Sequence, residues 1–204
     1  MTERNIGLDV SRETIERLEK YLALLEKWNP AINLVSKSTL KDAWSRHFID
    51  SAQIFKHAPN DWLHWADFGS GGGFPGAVIA ILANELRPDA SVTLVESDQR
   101  KATFLRSVFR EAGVSGTVVA KRVEAIEPLE ADVISARALA DLSDLLAFAE
   151  PHGAAGAVYL FPKGINWEKE LTRAQESWSF NHTAITSETD PNATILKIKG
   201  LARV

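Results

Sequence analysis

Four glycines fall within five positions in Gly69-Ser70-Gly71-Gly72-Gly73, and Gly76 follows after Phe74 and Pro75. Before them, Trp65-Ala66-Asp67-Phe68 reads as a buried strand; after them, Ala77 to Ala83 is an unbroken apolar run. The order is strand, glycine-dense turn, helix. Glycine reaches positive φ without strain and leaves no Cβ between the backbone and a ligand. Pro75 suits a first helical turn, where its missing N–H is no loss. A run that is apolar on every side belongs to a helix packed against a sheet.

Two ligands compete for such a turn. Gly71 to Gly76 satisfies the dinucleotide pattern G-x-G-x-x-G, and Glu96 lies near the offset expected for a ribose contact. A pyrophosphate, however, needs backbone N–H donors at the helix start, and Pro75 removes one. The glycines also begin earlier, as Asp67-x-Gly69-x-Gly71-x-Gly73, with an acid closing the strand. That acid repels a pyrophosphate and suits a cation. S-adenosylmethionine carries a sulfonium and an ammonium but no phosphate, so Gly69, Ser70, Gly71 and Gly73 are expected to hold it. Glu96, followed by Ser97, offers two oxygens to the two ribose hydroxyls.

The chain has 204 residues, enough for one domain with a small appendage. It contains no cysteine, which excludes disulfides, thiolate zinc sites and a cysteine nucleophile. The five histidines form no ligand-like pair, so no metal is expected. Met1 to Asn5 is polar, unlike a signal peptide, and Ala77–Ala83 is too short to span a bilayer. A cytoplasmic location is expected, with no membrane partner. The net charge of −4 argues against a free-standing nucleic-acid binder, yet Arg100, Lys101, Arg106 and Arg110 form a local basic stretch free of acids. It is either a solvated helix face or a phosphate-binding surface.

Residues 11–28 predict a helix capped by Ser11 and ended by Asn29-Pro30, because the residue before proline leaves the helical region. A second helix is expected from about Thr39 to His57. Both stripes need a later core to pack on, so residues 1–58 read as a helical extension and 59–204 as the core. The second helix carries Arg46-His47-Phe48-Ile49-Asp50-Ser51. Arg46/Asp50 and His47/Ser51 are each four apart, which permits an i,i+4 ion pair, a pocket-facing cluster or a hydrolase-like triad.

From Trp62 the pattern alternates strand and helix. Strands are expected near Val92–Val95, Thr117–Ala120, Asp132–Ser135 and Gly156–Phe161. Helices are expected over Gln99–Ala112, before Pro151, and along Trp167, Leu171, Ala174 and Trp178. Two last strands flank Asp190-Pro191-Asn192. Such units build a parallel sheet covered on both faces, with ligands at the carboxyl ends of its strands. The glycine turn, Glu96, Val123-Glu124, Arg137 and Lys163 all follow strands. Arg137 reads as an ion-pair partner or a ligand contact, and Lys163 as a loop lysine or a substrate contact.

Laid out in order, the chain resembles the RsmG (GidB) family almost end to end. The carriers are Trp28-Asn29-Pro30-Ala31-Ile32-Asn33-Leu34-Val35-Ser36, Arg46 to Ser51, Asp67 to Gly76, and Glu96-Ser97 ahead of Lys101 and Phe104-Leu105. Ser135-Ala136-Arg137-Ala138 and Lys163-Gly164 complete the set. The resemblance implies a class I (Rossmann-like) S-adenosylmethionine-dependent methyltransferase that modifies guanine N7 at position 527 of 16S rRNA (usual numbering), in the 530 hairpin loop. It implies cofactor contacts from Gly69, Phe74, Val123, Glu124 and Arg137. Arg46, His47, Asp50 and Ser51 would line the neighbouring pocket with Arg137 and Lys163. The partner would be 16S rRNA, the small ribosomal subunit or its precursor, met by a monomer. Many longer members carry a basic C-terminal tail; this chain ends at Leu201-Ala202-Arg203-Val204.

The residues agree with N7 chemistry. Pyrimidine C5 methylation commonly uses a cysteine adduct, and exocyclic amines commonly use an Asn/Asp-Pro-Pro-aromatic loop where this chain has Ser135-Ala136-Arg137-Ala138. Guanine N7 presents a bare lone pair, so no general base is expected. Arg100, Arg106 and Arg110 would grip flanking phosphates. Three other functions remain open at this stage: a small-molecule methyltransferase, an NAD(P)-dependent oxidoreductase, and a non-catalytic RNA-binding protein.

Overall fold

The structure is a computed structural model and describes residues 4–204, so Met1–Glu3 of the expected extension lie outside the described residues. The centre is a seven-stranded sheet of order β3-β2-β1-β4-β5-β7-β6. Its strands are β1 (His64–Phe68), β2 (Ser91–Val95), β3 (Thr117–Val119), β4 (Ala131–Ala136), β5 (Gly153–Lys163), β6 (Trp178–Thr186) and β7 (Thr194–Arg203). The first five run parallel, and β7 is antiparallel to both β5 and β6. The sheet is therefore mixed rather than wholly parallel: the last two strands form a hairpin, which needs no crossover helix.

Strand alternation sends successive side chains to opposite faces. Trp65, Leu94, Val133 and Leu160 join one apolar cluster with helices α1 (Arg12–Ile32), α3 (Asp50–Phe55), α4 (Gly76–Leu86) and α5 (Gln99–Ala112). Ala66, Phe68, Ile134 and Phe161 join the other with α6 (Leu142–Ala149) and α7 (Trp167–Ala174). Leu18, Tyr21, Leu22 and Leu25 of α1 share the first cluster with Val78, Leu82 and Phe104 of α4 and α5. The chain steps outward from β1 to β3 and then returns to β1's other side with β4. That reversal opens a crevice at the carboxyl ends of β1 and β4.

Three local expectations change. Helix α1 passes through Pro30 to Ile32 and ends on Asn33 in the left-handed region. In the last turn the proline forfeits one hydrogen bond; the Asn33 N–H to Asn29 carbonyl bond (2.9 Å) and the Val35 N–H to Asn29 Oδ1 bond (2.8 Å) close the end. The expected helix 39–57 is instead a turn, α2 (Lys37–Leu40), a π-helical stretch (Trp44–Ile49) and α3. Finally, Trp178 opens β6, not the face of α7.

Candidate functional site: two cavities at the carboxyl edge of the sheet

Gly69, Gly71 and Gly73 take φ of 61°, 55° and 93°. A Cβ on Gly73 would stand 2.9 Å from the Ala77 Cβ and would also meet the Tyr21 hydroxyl. Much of the glycine density is thus demanded by packing inside the protein. The turn also consumes four of its own donors. The N–H groups of Ser70, Gly73 and Phe74 go to the carbonyls of Val95, Ser70 and Ser70 (3.2, 2.6 and 3.3 Å), and Gly71 donates to Glu96 Oε2 (2.8 Å). A pyrophosphate would have to break these bonds.

Beneath the turn sit two acids. Glu96 is buried, its second oxygen accepting from the Asp98 N–H (2.7 Å), so it braces the turn rather than standing in solvent. Each of its oxygens still has a lone pair. Asp67 is wholly buried, and that burial pushes its carboxyl up to about 6. Oδ1 accepts from the Ser135 hydroxyl (2.7 Å); Oδ2 has no partner among the described residues.

A first cavity, about 260 Å³, is lined by Gly69, Val95, Ser97, Val123, Glu124 and Phe148. A second, about 370 Å³, is lined by Arg46, Asp50, Arg137, Lys163, Glu170 and Asp190 among others. Ala140 borders both. Between them runs the segment Arg137–Ala140, where Ala138 holds a positive φ of 54° and the Leu139 side chain lies over Gly69.

Arg137 is the hinge of the polar groups. Its Nη1 donates to Asp50 Oδ2 (3.2 Å) and its Nη2 to His47 Nδ1 (3.1 Å), and the guanidinium lies over the Phe74 ring, 5.2 Å from its centroid. Because Nδ1 accepts, the His47 proton is on Nε2, which donates to Thr39 Oγ1 (2.9 Å). Burial first, and then Arg137, lower the imidazole to about 4, so it is neutral near pH 7. Asp50 Oδ1 accepts from Gln53 (2.9 Å) and Thr189 (2.7 Å).

The permitted Arg46–Asp50 pair does not form. A π-helical turn shifts the register of neighbouring side chains, and Arg46 pairs with Asp190 (3.3 Å) across the last hairpin. No triad exists either: the Ser51 hydroxyl donates to the His47 carbonyl (2.6 Å) and is buried away from the ring nitrogens. The Ser70 hydroxyl likewise turns inward, to the Asp67 carbonyl (2.9 Å). Phe74 supports Arg137 and His47 by stacking and is not among the residues lining the first cavity.

Lys163 ends β5 as a buried residue, not an exposed loop lysine. Its ammonium donates to the Ala140 carbonyl (2.9 Å) and pairs with Glu170 (2.7 Å), holding the segment between the cavities. Arg100, Arg106 and Arg110 are exposed on α5 and line neither cavity. They bond to Asp98, the Val118 carbonyl and Glu111 respectively. At about 1.5 Å rise per residue, Arg110 lies roughly 16 Å along the helix from its start at Gln99. Tyr21, Thr39, Gln53, Glu170, Ser187, Thr189 and Asp190 belong to the site and escape a sequence reading. Only the Asp190-Pro191-Asn192 turn gives a signal, and it marks a hairpin, not a pocket wall.

The family model described as rRNA small subunit methyltransferase G (GidB) matches residues 14–195. A ribosomal RNA small subunit methyltransferase G of Ruegeria pomeroyi is 55% identical over 197 residues, covering 97% of this chain and 96% of that protein. The protein of the same name from Rhodospirillum centenum is 50% identical, covering 98% and 91%. Among solved structures, cofactor-bound Rv0187 from MTB superimposes with a TM-score of 0.61 at 15% identity, covering 90% of this chain and 89% of that one. A SAM-dependent methyltransferase from Aquifex aeolicus gives 0.58 at 10% identity, covering 88% and 97%. These structures share the Rossmann-like sheet with helices on both faces. The sequence matches go further: the chain belongs to the GidB family, rRNA small subunit methyltransferase G.

Proposed function

We propose that this protein transfers the methyl group of S-adenosylmethionine to N7 of guanine 527, in the 530 hairpin loop of 16S rRNA, acting in the cytoplasm on the small ribosomal subunit or its precursor. The observation that carries the reading is the pair of cavities meeting at Arg137–Ala140, one against a glycine turn whose Ser70, Gly71, Gly73 and Phe74 N–H groups are already bonded, the other walled by three cations each paired with a carboxylate. Family membership supports rRNA as the substrate class.

The residues fit the donor. Val95, Val123, Leu139 and Phe148 give apolar walls for an adenine, Ser97 and Glu124 supply acceptors for hydroxyl and amino groups, and Glu96, buried between Val95 and Ser97, would accept from the ribose through its remaining lone pairs. Lys121 and Arg122 line the same cavity, and Arg137, on the wall of the second cavity, would meet the donor's carboxylate where the two cavities join. Bound there, S-adenosylmethionine supplies an electrophilic methyl on a sulfonium. The chain's own task is orientation, which contributes on the order of 7–11 kcal/mol in well-placed reactions. Guanine N7 loses no proton, and His47 has both ring nitrogens engaged and is neutral, so it acts as a wedge behind Arg137 rather than as a base. Arg46 at the second cavity, and Arg100, Arg106 and Arg110 on α5, would meet phosphates flanking the base.

The test is transfer from methyl-labelled S-adenosylmethionine to small subunits from cells lacking this protein, with N7-methylguanine mapped by borohydride and aniline cleavage. One cleavage site in the 530 loop supports the reading. Label on another atom, or none, overturns it.

A further inference from the structure

The second cavity carries three carboxylates, and one has an oxygen without a donor. Asp50 uses Oδ1 for Gln53 and Thr189 and Oδ2 for Arg137. Asp190 uses Oδ1 for the Asn192 N–H (3.0 Å) and Oδ2 for Arg46. Glu170 places Oε2 on the Leu142 N–H (2.9 Å) and on the Lys163 ammonium. Among the described residues nothing donates to its Oε1, and the side chain is 27% exposed on the cavity wall. Its place on α7 and the bonds of Oε2 to Leu142 and Lys163 anchor the carboxylate at the cavity wall. Ala138, Pro162 and Ile195 line the same cavity and supply apolar surface suited to the flat face of a base.

Guanine places acceptors at N7 and O6 and donors at N1 and the 2-amino group. A guanine that offers N7 for methylation must still bury its N1–H and amino donors against something. Methyl transfer leaves the purine cationic without losing a proton, so its N1–H becomes a stronger donor as the reaction proceeds. An acceptor carboxylate on that edge therefore gains most in the transition state, which is the condition for raising turnover. Adenine presents a lone pair at N1 and would set one acceptor against another, with no proton between them.

Resting on the reading of the site given under Proposed function, we propose that Glu170 Oε1 accepts from N1–H and the 2-amino group of the target guanine and is the residue that selects guanine over adenine. Glu170→Gln tests this cleanly. The amide oxygen keeps the bonds from Lys163 and Leu142, and the amide NH2 then faces the base, where it opposes guanine donors and suits adenine N1.

The experiment measures methyl transfer to reconstituted small subunits carrying guanine, adenine or inosine at the target position, for the wild type and E170Q, with donor affinity by calorimetry. The expected result is a drop of about 10- to 100-fold in kcat/KM on guanine for E170Q, borne mainly by kcat, a smaller guanine-to-adenine ratio, and unchanged donor affinity. The wild type, which needs no variant to fold, loses rate on inosine, which lacks the 2-amino group. An E170Q enzyme with the wild-type guanine-to-adenine ratio, or a wild type indifferent to inosine, overturns the proposal while leaving the reaction intact. A wild type that places no methyl on guanine N7 overturns the reaction itself.

Discussion

Tyr21 donates its buried hydroxyl to the carbonyl oxygen of Gly72, and its ring stacks on Phe74 at 5.3 Å. An N-terminal helix thereby holds the turn against which the first cavity is built. Tyr21→Phe keeps the ring and removes the donor, leaving a buried carbonyl unsatisfied, a loss of about 1–3 kcal/mol in folding stability. Denaturant unfolding should show that loss, and calorimetry should show weaker S-adenosylmethionine binding. Unchanged donor affinity would separate the helix from the site.

Arg137 is held by three partners at once, and lysine cannot reproduce a planar fork stacked on a ring. Arg137→Lys is expected to weaken donor binding by about 1.5–3 kcal/mol, the range for a charged hydrogen bond, or roughly 10- to 150-fold in Kd. Isothermal titration decides it. A variant that binds donor normally and fails only in transfer would move Arg137 to the RNA side of the site.

Two buried groups give stability opposite slopes with pH. Burial lifts Asp67 from 3.8 to about 6, so the folded state holds its proton more tightly; that contribution is full below about pH 4 and is lost as pH rises to about 6. His47 is lowered from 6.5 to about 4, so its contribution is full above pH 6.5 and is lost as pH falls toward 4. The stability of the wild type minus that of Asp67→Asn should therefore decline between pH 4 and 6, by on the order of 3 kcal/mol. The same difference taken against His47→Asn should rise between pH 4 and 6.5. Urea midpoints across this range measure both; parallel curves would contradict the assignment.

The arginines of α5 are exposed and line neither cavity, so under the proposed function they would contribute to affinity, not to chemistry. Replacing Arg106 and Arg110 together by alanine should reduce the slope of log K for RNA against log salt by about 2, near one unit per phosphate contact. Filter binding at several salt concentrations reads it. A slope equal to the wild type's removes α5 from the interface, and a fall in kcat at saturating RNA gives it a different role.

The sheet's five parallel strands were legible because each apolar run is closed by a polar residue or a glycine, and the bounds of α5 because Asp98 and Gly113 bracket it at the expected ends. The extension was less legible. Pro30 sits where a lost hydrogen bond costs little, and nothing in Trp44–Ile49 distinguishes a π turn from an α turn. That one-residue shift decides the site, since it sends Arg46 to Asp190 and frees Asp50 for Arg137. The partners Thr189 and Asp190 lie over 130 positions away in sequence from Asp50 and Arg46, and periodicity carries no information at that range. The glycine turn was read correctly as a strand-to-helix bend, yet part of its glycine content answers to Tyr21 and Ala77 rather than to a ligand.

The most direct measurement is a crystal of this protein soaked with S-adenosylhomocysteine, and a second soaked with NAD. The account predicts the adenosine against Gly69, Val123 and Glu124 with the amino-acid end at Arg137, and no ordered dinucleotide in the second crystal. An empty first cavity beside a dinucleotide whose pyrophosphate lies on the glycine turn would contradict it.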